Sequence, residues 1–349
     1  MERGSMGSGL EKILRKYDGL ITGPADLLAD KPPSPLFYIL ANLLRPQLDP
    51  DPEAVTPKSV AWRRKAHFII QKLGPMFLGS PQTIENRNFL RDPDADPVLP
   101  DPGVSLPEEP VIFAANHAFR DDSLASILAA KRHTYISLAS VPQLFNTFDG
   151  FTSWFNGPVL INRKVKKSRN TFIPKSVRVL RYGADLLIFP EGVWNKSPNA
   201  LVLNLWPGVY RITCETGAKI VPVVHYIRDY TDKLKDNPIH TVIDDPIRID
   251  NLSESAALEL IREILATWHY LMMEVYGKAT RKEALAGALT SSEAWEKQLA
   301  ARITTADRYD KEIELKADFR NRTQVLPPHG IFFGLSPISK TSAQPMSGW

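Results

Sequence analysis

The segment Val111–Asp122, VIFAANHAFRDD, carries the residues best placed for chemistry. An apolar run of strand character stops at Asn116 and His117, and Asp121 and Asp122 follow within five residues. A carboxylate one short turn from an imidazole can accept a hydrogen bond from one ring nitrogen. That fixes the tautomer, stabilises the imidazolium and leaves the other nitrogen free to take a proton. His117 is therefore a candidate general base, with Asp122 orienting it. The same pattern also fits a strand-end histidine followed by an aspartate that caps the next helix.

Three further segments bear on the choice. LLIFPEGVW is a second apolar run that ends abruptly in Pro190, Glu191 and Gly192. A Glu-Gly pair at the carboxyl end of a parallel strand lies where ligands bind in such sheets, although a solvated turn reads the same way. No acidic residue falls between Asp149 and Asp185, whereas Arg163, Lys164, Lys166, Lys167, Arg169, Lys175, Arg178 and Arg181 all do. Such one-sign blocks usually decorate a solvated face. Arg163, however, directly follows the strand-like PVLIN, so it falls at the same sheet edge as His117. A guanidinium there suits a phosphate through paired hydrogen bonds. KIVPVV carries Pro222, which costs a ladder bond and marks an edge strand or a special bend. His133, His225 and His240 have no metal-ligand spacing and read as structural.

These residues need a frame, and the pattern supplies one. VIFAAN, YISLAS, PVLIN, LLIFP, KIVPVVHYI and HTVID read as strands. They alternate with helical stretches DSLASILAAKR, PKSVRVLRYG and NLWPGVYRITCETG, which predicts an α/β fold with a central, mostly parallel twisted sheet flanked by helices. Ser253–Tyr276 reads as a long helix. Residues 1–90 read as an N-terminal helical region broken by prolines. Its segment KSVAWRRKAHFIIQKLG fits either core packing or a membrane surface, with Arg63, Arg64 and Lys65 near lipid phosphates. Residues 91–110, rich in proline and carboxylates, form a loop. Residues 111–320 make the α/β domain with C-terminal helices, and 321–349 read as an irregular tail.

Bulk properties exclude several classes. With 349 residues, 43% hydrophobic and 23% charged, the chain can bury a real core. A net charge of +4 gives no footprint for nucleic acid. Cys214 is the sole cysteine, so no internal disulfide can form. No apolar run nears the ~18 residues of a membrane span, and MERGSMGSGLEKILRKYDG lacks the apolar core of a secretory leader. The expectation is a cytoplasmic protein that touches the inner face of a membrane without crossing it.

The order and spacing of the four segments resemble the glycerolipid acyltransferases, which include the lysophosphatidate and glycerol-3-phosphate acyltransferases. Asn116, His117 and Asp122 match the first block of that family, and Gly157 to Arg163 the second. Phe189, Pro190, Glu191 and Gly192 match the third, and Val221, Pro222 and Val223 the fourth. The likeness covers about Glu108 to Asp250. It implies transfer of a fatty acyl group from a thioester, acyl-CoA or acyl carrier protein, to a hydroxyl, with His117 and Asp122 catalytic. Asn116, Arg120, Gly157, Arg163, Glu191, Gly192, Trp194 and Pro222 would bind substrate. It implies no metal and no cofactor beyond the thioester co-substrate. The partners would be that donor, a lysolipid or other hydroxyl acceptor, and an anionic membrane surface. Two positions depart from the family. Val193-Trp194 stands where Thr-Arg is usual, and Ala118-Phe119-Arg120 follows the histidine. They leave open a non-glycerolipid acceptor, water as acceptor in a thioesterase, or an inactive lipid-surface binding protein.

Overall fold

The structure is a computed structural model that describes residues 55–78, 80–91, 104–117, 119, 121–139, 153–161, 166–192, 195, 201–228 and 238–276. The expected helices at 10–17 and 34–46, the acidic loop over 92–103 and everything after Tyr276 lie outside the described residues.

Seven strands form one sheet: β1 (Gln82–Ile84), β2 (Ile112–Ala115), β3 (Thr134–Ala139), β4 (Pro158–Ile161), β5 (Asp185–Ile188), β6 (Ile220–Ile227) and β7 (Ile239–Ile243). Their spatial order is β1-β7-β6-β2-β5-β3-β4. Every pair is parallel except β6 with β7. The inner strands read as unbroken apolar runs because both faces are covered: β2, β5 and β6 are buried at every position. Side chains alternate between two cores. Ile112, Ala114, Leu186, Ile188, Ile220 and Val224 face one. Val111, Phe113, Ala115, Leu187, Phe189, Val221 and Val223 face the other.

Helices α4 (Lys166–Arg181), α5 (Gly208–Thr216) and α6 (Glu254–Val275) cover the first face. Helix α3 (Asp122–Ala130) and the C-terminal half of α1 (Pro57–Leu73) cover the second, through Ile127, Ala130 and Ile70. A short helix α2 (Arg87–Arg91) follows β1. Among the described residues no helix is long and apolar enough to cross a membrane.

The structure departs from the sequence reading in several places. Strand β1 lies inside the region expected to be helical. It is three residues, QTI, too short and too polar to show any periodicity. Helix α4 begins at Lys166 rather than at Pro174 and carries that proline inside it. Pro174 is exposed, so water can serve the carbonyl that its missing N–H leaves free. Helix α5 starts only after Pro207. Pro222 is not on an edge, since β6 pairs with β2 on one side and β7 on the other. It does mark an irregularity. The ladder with β7 runs from Ile227↔Ile239 to Val223↔Ile243 and resumes at Ile220↔Ile247, so one extra residue bulges opposite the proline. Pro222 accepts from Asp244 N there at 2.9 Å and has no N–H to return.

Helix α1 matches its predicted span. Thr56 caps it in a reciprocal pair with Ser59, and Pro57 occupies the first turn. Of the two readings of this segment, Arg63 follows core packing. It is 1% exposed and donates to Trp154 O at 3.3 Å and Tyr135 Oη at 3.4 Å, with Trp62, Trp154 and Tyr135 around its guanidinium. The long helix α6 starts at Glu254, with Ser253 accepting from Ala256 N at 3.3 Å.

Candidate active site

Strand β2 ends at Ala115, and Asn116 fixes where it leaves the sheet. Its side-chain amide copies a ladder partner. Nδ2 donates to His225 O at 3.0 Å, and Oδ1 accepts from His225 N at 2.7 Å. Asn116 is buried, and its polar atoms are spent on β6.

His117 then emerges from the carboxyl end of β2 on the face of the second core, its ring stacked on Phe189 with centroids 4.5 Å apart. Nδ1 lies 2.8 Å from Asp122 Oδ2. The two side chains differ sharply in access: His117 is 23% exposed, while Asp122 is wholly buried. Asp121 occupies the N-cap of α3 without a side-chain capping bond. Asp122 stands in the first turn, and its Oδ2 turns back to accept from Phe119 N at 3.2 Å as well as facing the imidazole. A proton on Nδ1, shared with Asp122, leaves Nε2 as the basic nitrogen of the ring.

The Pro-Glu-Gly turn after β5 holds the histidine's main chain. Glu191 Oε1 accepts from His117 N at 3.0 Å, and Oε2 accepts from Leu203 N at 2.8 Å. The carbonyl of His117 accepts from Asn195 N at 2.9 Å. Gly192 has φ of +73°, in the left-handed region that glycine tolerates, and closes the turn by donating to Phe189 O at 2.9 Å. Glu191 is buried. Loss of water pushes its carboxyl up to about 8, with the neighbouring Asp122 adding to the rise and the two backbone donors opposing it. The sequence reading makes Asn116 and Glu191 substrate contacts; in the structure the Asn116 amide bonds the main chain of His225, and the Glu191 carboxyl group that of His117 and Leu203.

Gly157 is not brought to this site. Gly157, Tyr135, Leu186 and Ile112 fall in one row at the amino ends of the strands, opposite the end where His117 sits. Its glycine answers a local demand: φ is +117°, and an added Cβ would meet the Tyr135 ring at 2.8 Å. Strand β4 itself ends at Ile161, at the carboxyl end of the sheet. Arg163 itself, with Ala118, Arg120, Val193 and Trp194, lies outside the described residues. Pro222 lies within β6, beside Ala114 in register, and is buried.

The other histidines have partners of their own. His133 Nε2 lies 2.7 Å from Asn156 O, and burial lowers its pKa to about 4. His240 Nδ1 lies 2.7 Å from Glu85 Oε1. His225 is fully buried between Ser126 and Thr241. Asn195 and Leu203 were missed by sequence reading. They reach His117 and Glu191 through backbone N–H groups, which leave no mark on residue type.

The fold is an α/β sheet protein, and an imidazole backed by a buried carboxylate at the carboxyl end of its strands is an arrangement suited in general to proton abstraction. Comparison with known proteins narrows this. Residues 92–226 match the model of the Acyltransferase family. A 1-acyl-sn-glycerol-3-phosphate acyltransferase of Chlamydomonas reinhardtii is 26% identical over 117 residues, which is 34% of this chain and 34% of that protein. The chain thus aligns with about a third of the length of that relative. The crystal structure of the 1-acyl-sn-glycerophosphate acyltransferase PlsC from Thermotoga maritima superposes with a TM-score of 0.46 at 15% identity, covering 78% of this chain and 98% of that one. The resemblance to the glycerolipid acyltransferases read from the four sequence blocks holds.

Proposed function

We propose that the chain transfers a fatty acyl group from a thioester to the hydroxyl of a lysophospholipid, with His117 as general base. The observation that carries this reading is the 2.8 Å contact between a half-open imidazole and a fully buried carboxylate. Nε2 of His117 removes the proton of the acceptor hydroxyl as its oxygen attacks the thioester carbonyl carbon. The imidazolium is held by Asp122. The tetrahedral adduct collapses, the carbon–sulfur bond breaks, and the thiolate leaves with the proton from His117. The product is an ester and a free thiol, and no acyl-enzyme forms. The Phe189 ring stacked on the imidazole and the two bonds to the His117 main chain hold the base in place before substrate arrives.

The acceptor is the open variable, because Val193-Trp194 replaces the family's usual Thr-Arg. Arg163 and its basic neighbours favour a phosphate-bearing lysolipid. Purified protein given mixed acyl-CoAs and a panel of lysolipid and non-lipid acceptors should yield, by mass spectrometry, an acylated lysophosphatidate. Arg163→Ala should then raise the apparent KM for that acceptor about tenfold or more, since the charge-assisted pair it removes is worth about 1.5–3 kcal/mol. Thioester KM should barely change. A silent Arg163→Ala beside a damaging Trp194→Ala would point to an uncharged acceptor, and thioester cleavage independent of any acceptor would point to a thioesterase.

Membrane contact is part of the same proposal. The outer side of α1 and the turn after it exposes Phe68 (65%), Met76 (76%), Ile69, Leu73 and Phe77. Arg64, Lys65 and Lys72 are exposed among them, and α1 contains no acidic residue. Apolar groups flanked only by cations suit an anionic bilayer.

A further inference from the structure

We infer that His225, a residue of β6 outside the His-Asp pair, is the positioning residue that sets both halves of that pair against each other. This inference rests on the general-base reading of His117.

The backbone of His225 fixes the histidine half. Its N–H and carbonyl are the two groups held by the Asn116 amide, at 2.7 and 3.0 Å. Asn116 directly precedes His117, so the point where the chain leaves β2 is registered on His225.

The side chain of His225 fixes the aspartate half. Ser126 Oγ donates to the carbonyl of Asp122, one helical turn back, at 2.7 Å. A hydroxyl has a single proton, and here it is spent. His225 Nε2, 2.6 Å from the same oxygen, must therefore be the donor. That assigns the tautomer: Nδ1 carries no proton and accepts from Thr241 Oγ1 at 3.0 Å. Thr241 in turn accepts from Gln82 Nε2 at 2.9 Å, and Gln82 also donates to Ala125 O at 2.9 Å. Every proton in the chain Gln82–Thr241–His225–Ser126–Asp122 carbonyl thus points one way, toward the first turn of α3. Burial agrees with a neutral ring, lowering the His225 pKa to about 4. A charged imidazolium would have to donate from Nδ1 toward Thr241 and break that order.

Asp122 lies in the first turn of α3, where no side chain caps the helix from Asp121. The Ser126 hook holds the main chain of that turn, while Phe119 N–H and Ser123 Oγ reach the carboxylate itself, so the hook acts on the line from Oδ2 to the imidazole through the backbone. His225 ties this turn to the same strand that holds Asn116.

The test compares Ser126→Ala and His225→Leu with Ser126→Thr and His225→Gln. The first pair removes the hook. The second keeps a hydroxyl at 126 and an amide donor at 225. Removing the hook should lower kcat roughly ten- to hundredfold by misplacing the carboxylate, with KM for thioester and acceptor within about twofold of wild type. Ser126→Thr and His225→Gln should recover most of the loss, which a merely structural role would not predict for two different sites. Ser126→Ala deletes one oxygen, so it keeps the test alive if His225→Leu does not fold. Wild-type kcat in folded Ser126→Ala, alongside an inactive His117→Ala, would overturn the inference. Full activity in His117→Ala would instead overturn the general-base reading beneath it.

Discussion

At the scale of single residues, the site is defined by how polar atoms are spent. Asn116 and Glu191 hold main chain, Asp122 holds the imidazole, and the His117 side chain is 23% exposed while Asp122 is wholly buried. The sequence marks all four residues and pairs Asp122 with His117, but it cannot tell that Asn116 and Glu191 hold main chain, since a buried amide and a substrate-binding amide are spelled alike. Glu191 offers a test of its own. Its carboxyl is displaced from an ordinary value of 4.5 to about 8 by burial. Below pH 4.5 folded and unfolded chains both hold the proton, and the contribution to stability is complete. Between 4.5 and 8 the unfolded chain loses the proton first, so stability should decline as pH rises through that window. Glu191→Gln should remove most of this slope. It should also cost about 1–3 kcal/mol at low pH, because an amide gives one acceptor to two buried N–H donors. Denaturant titrations of both proteins between pH 4 and 8.5 check this; parallel slopes would contradict it.

At the scale of elements, strand ends proved easier to read than helix starts or short strands. Inner strands such as β2 and β5 are written as continuous apolar runs because helices cover both faces. The three-residue β1 has too little pattern to announce itself, and Pro174 looked like a helix start because its missing N–H is harmless there. Pro222 was legible as an irregularity but not as an inner-strand one, since its bulge lies on the partner strand. Helix α1 shows the same limit. Its basic-aromatic composition was plain, yet only packing could turn Arg63 inward and leave Phe68 and Met76 outside. From that exposed side follows a prediction. The protein should co-sediment with anionic vesicles, and binding should weaken as salt rises, at roughly 1 kcal/mol per basic group near the surface. Phe68→Ser with Met76→Ser should reduce binding without lowering stability, since both side chains already face outward. Binding that is absent at low salt, or indifferent to salt, would leave α1 as a packing helix alone.

At the scale of the whole molecule, the site is assembled from segments far apart in the chain. His117 and Asp122 are neighbours in sequence, so their pairing was visible from spacing. Glu191, Asn195, Leu203 and His225 reach them only because β5 and β6 flank β2 in the sheet. That order could not be read from the pattern of strands, and with it went the chain from Gln82 through His225. The family blocks stood in for the missing topology: they marked Glu191 as belonging with His117 without showing how. They also grouped Gly157 with the site, although the sheet register puts it at the far end.

The central claim is that His117 is the base and Asp122 its partner. The direct measurement is acceptor-dependent thiol release from acyl-CoA by wild type, His117→Ala and Asp122→Asn, each verified as folded. His117 leaves the sheet in a turn and contributes little packing, so His117→Ala should change stability by no more than about 1 kcal/mol. It should abolish transfer. Asp122→Asn should lose most of it, because the amide can no longer hold the imidazole in the required tautomer. Near wild-type turnover in folded His117→Ala protein would contradict the account.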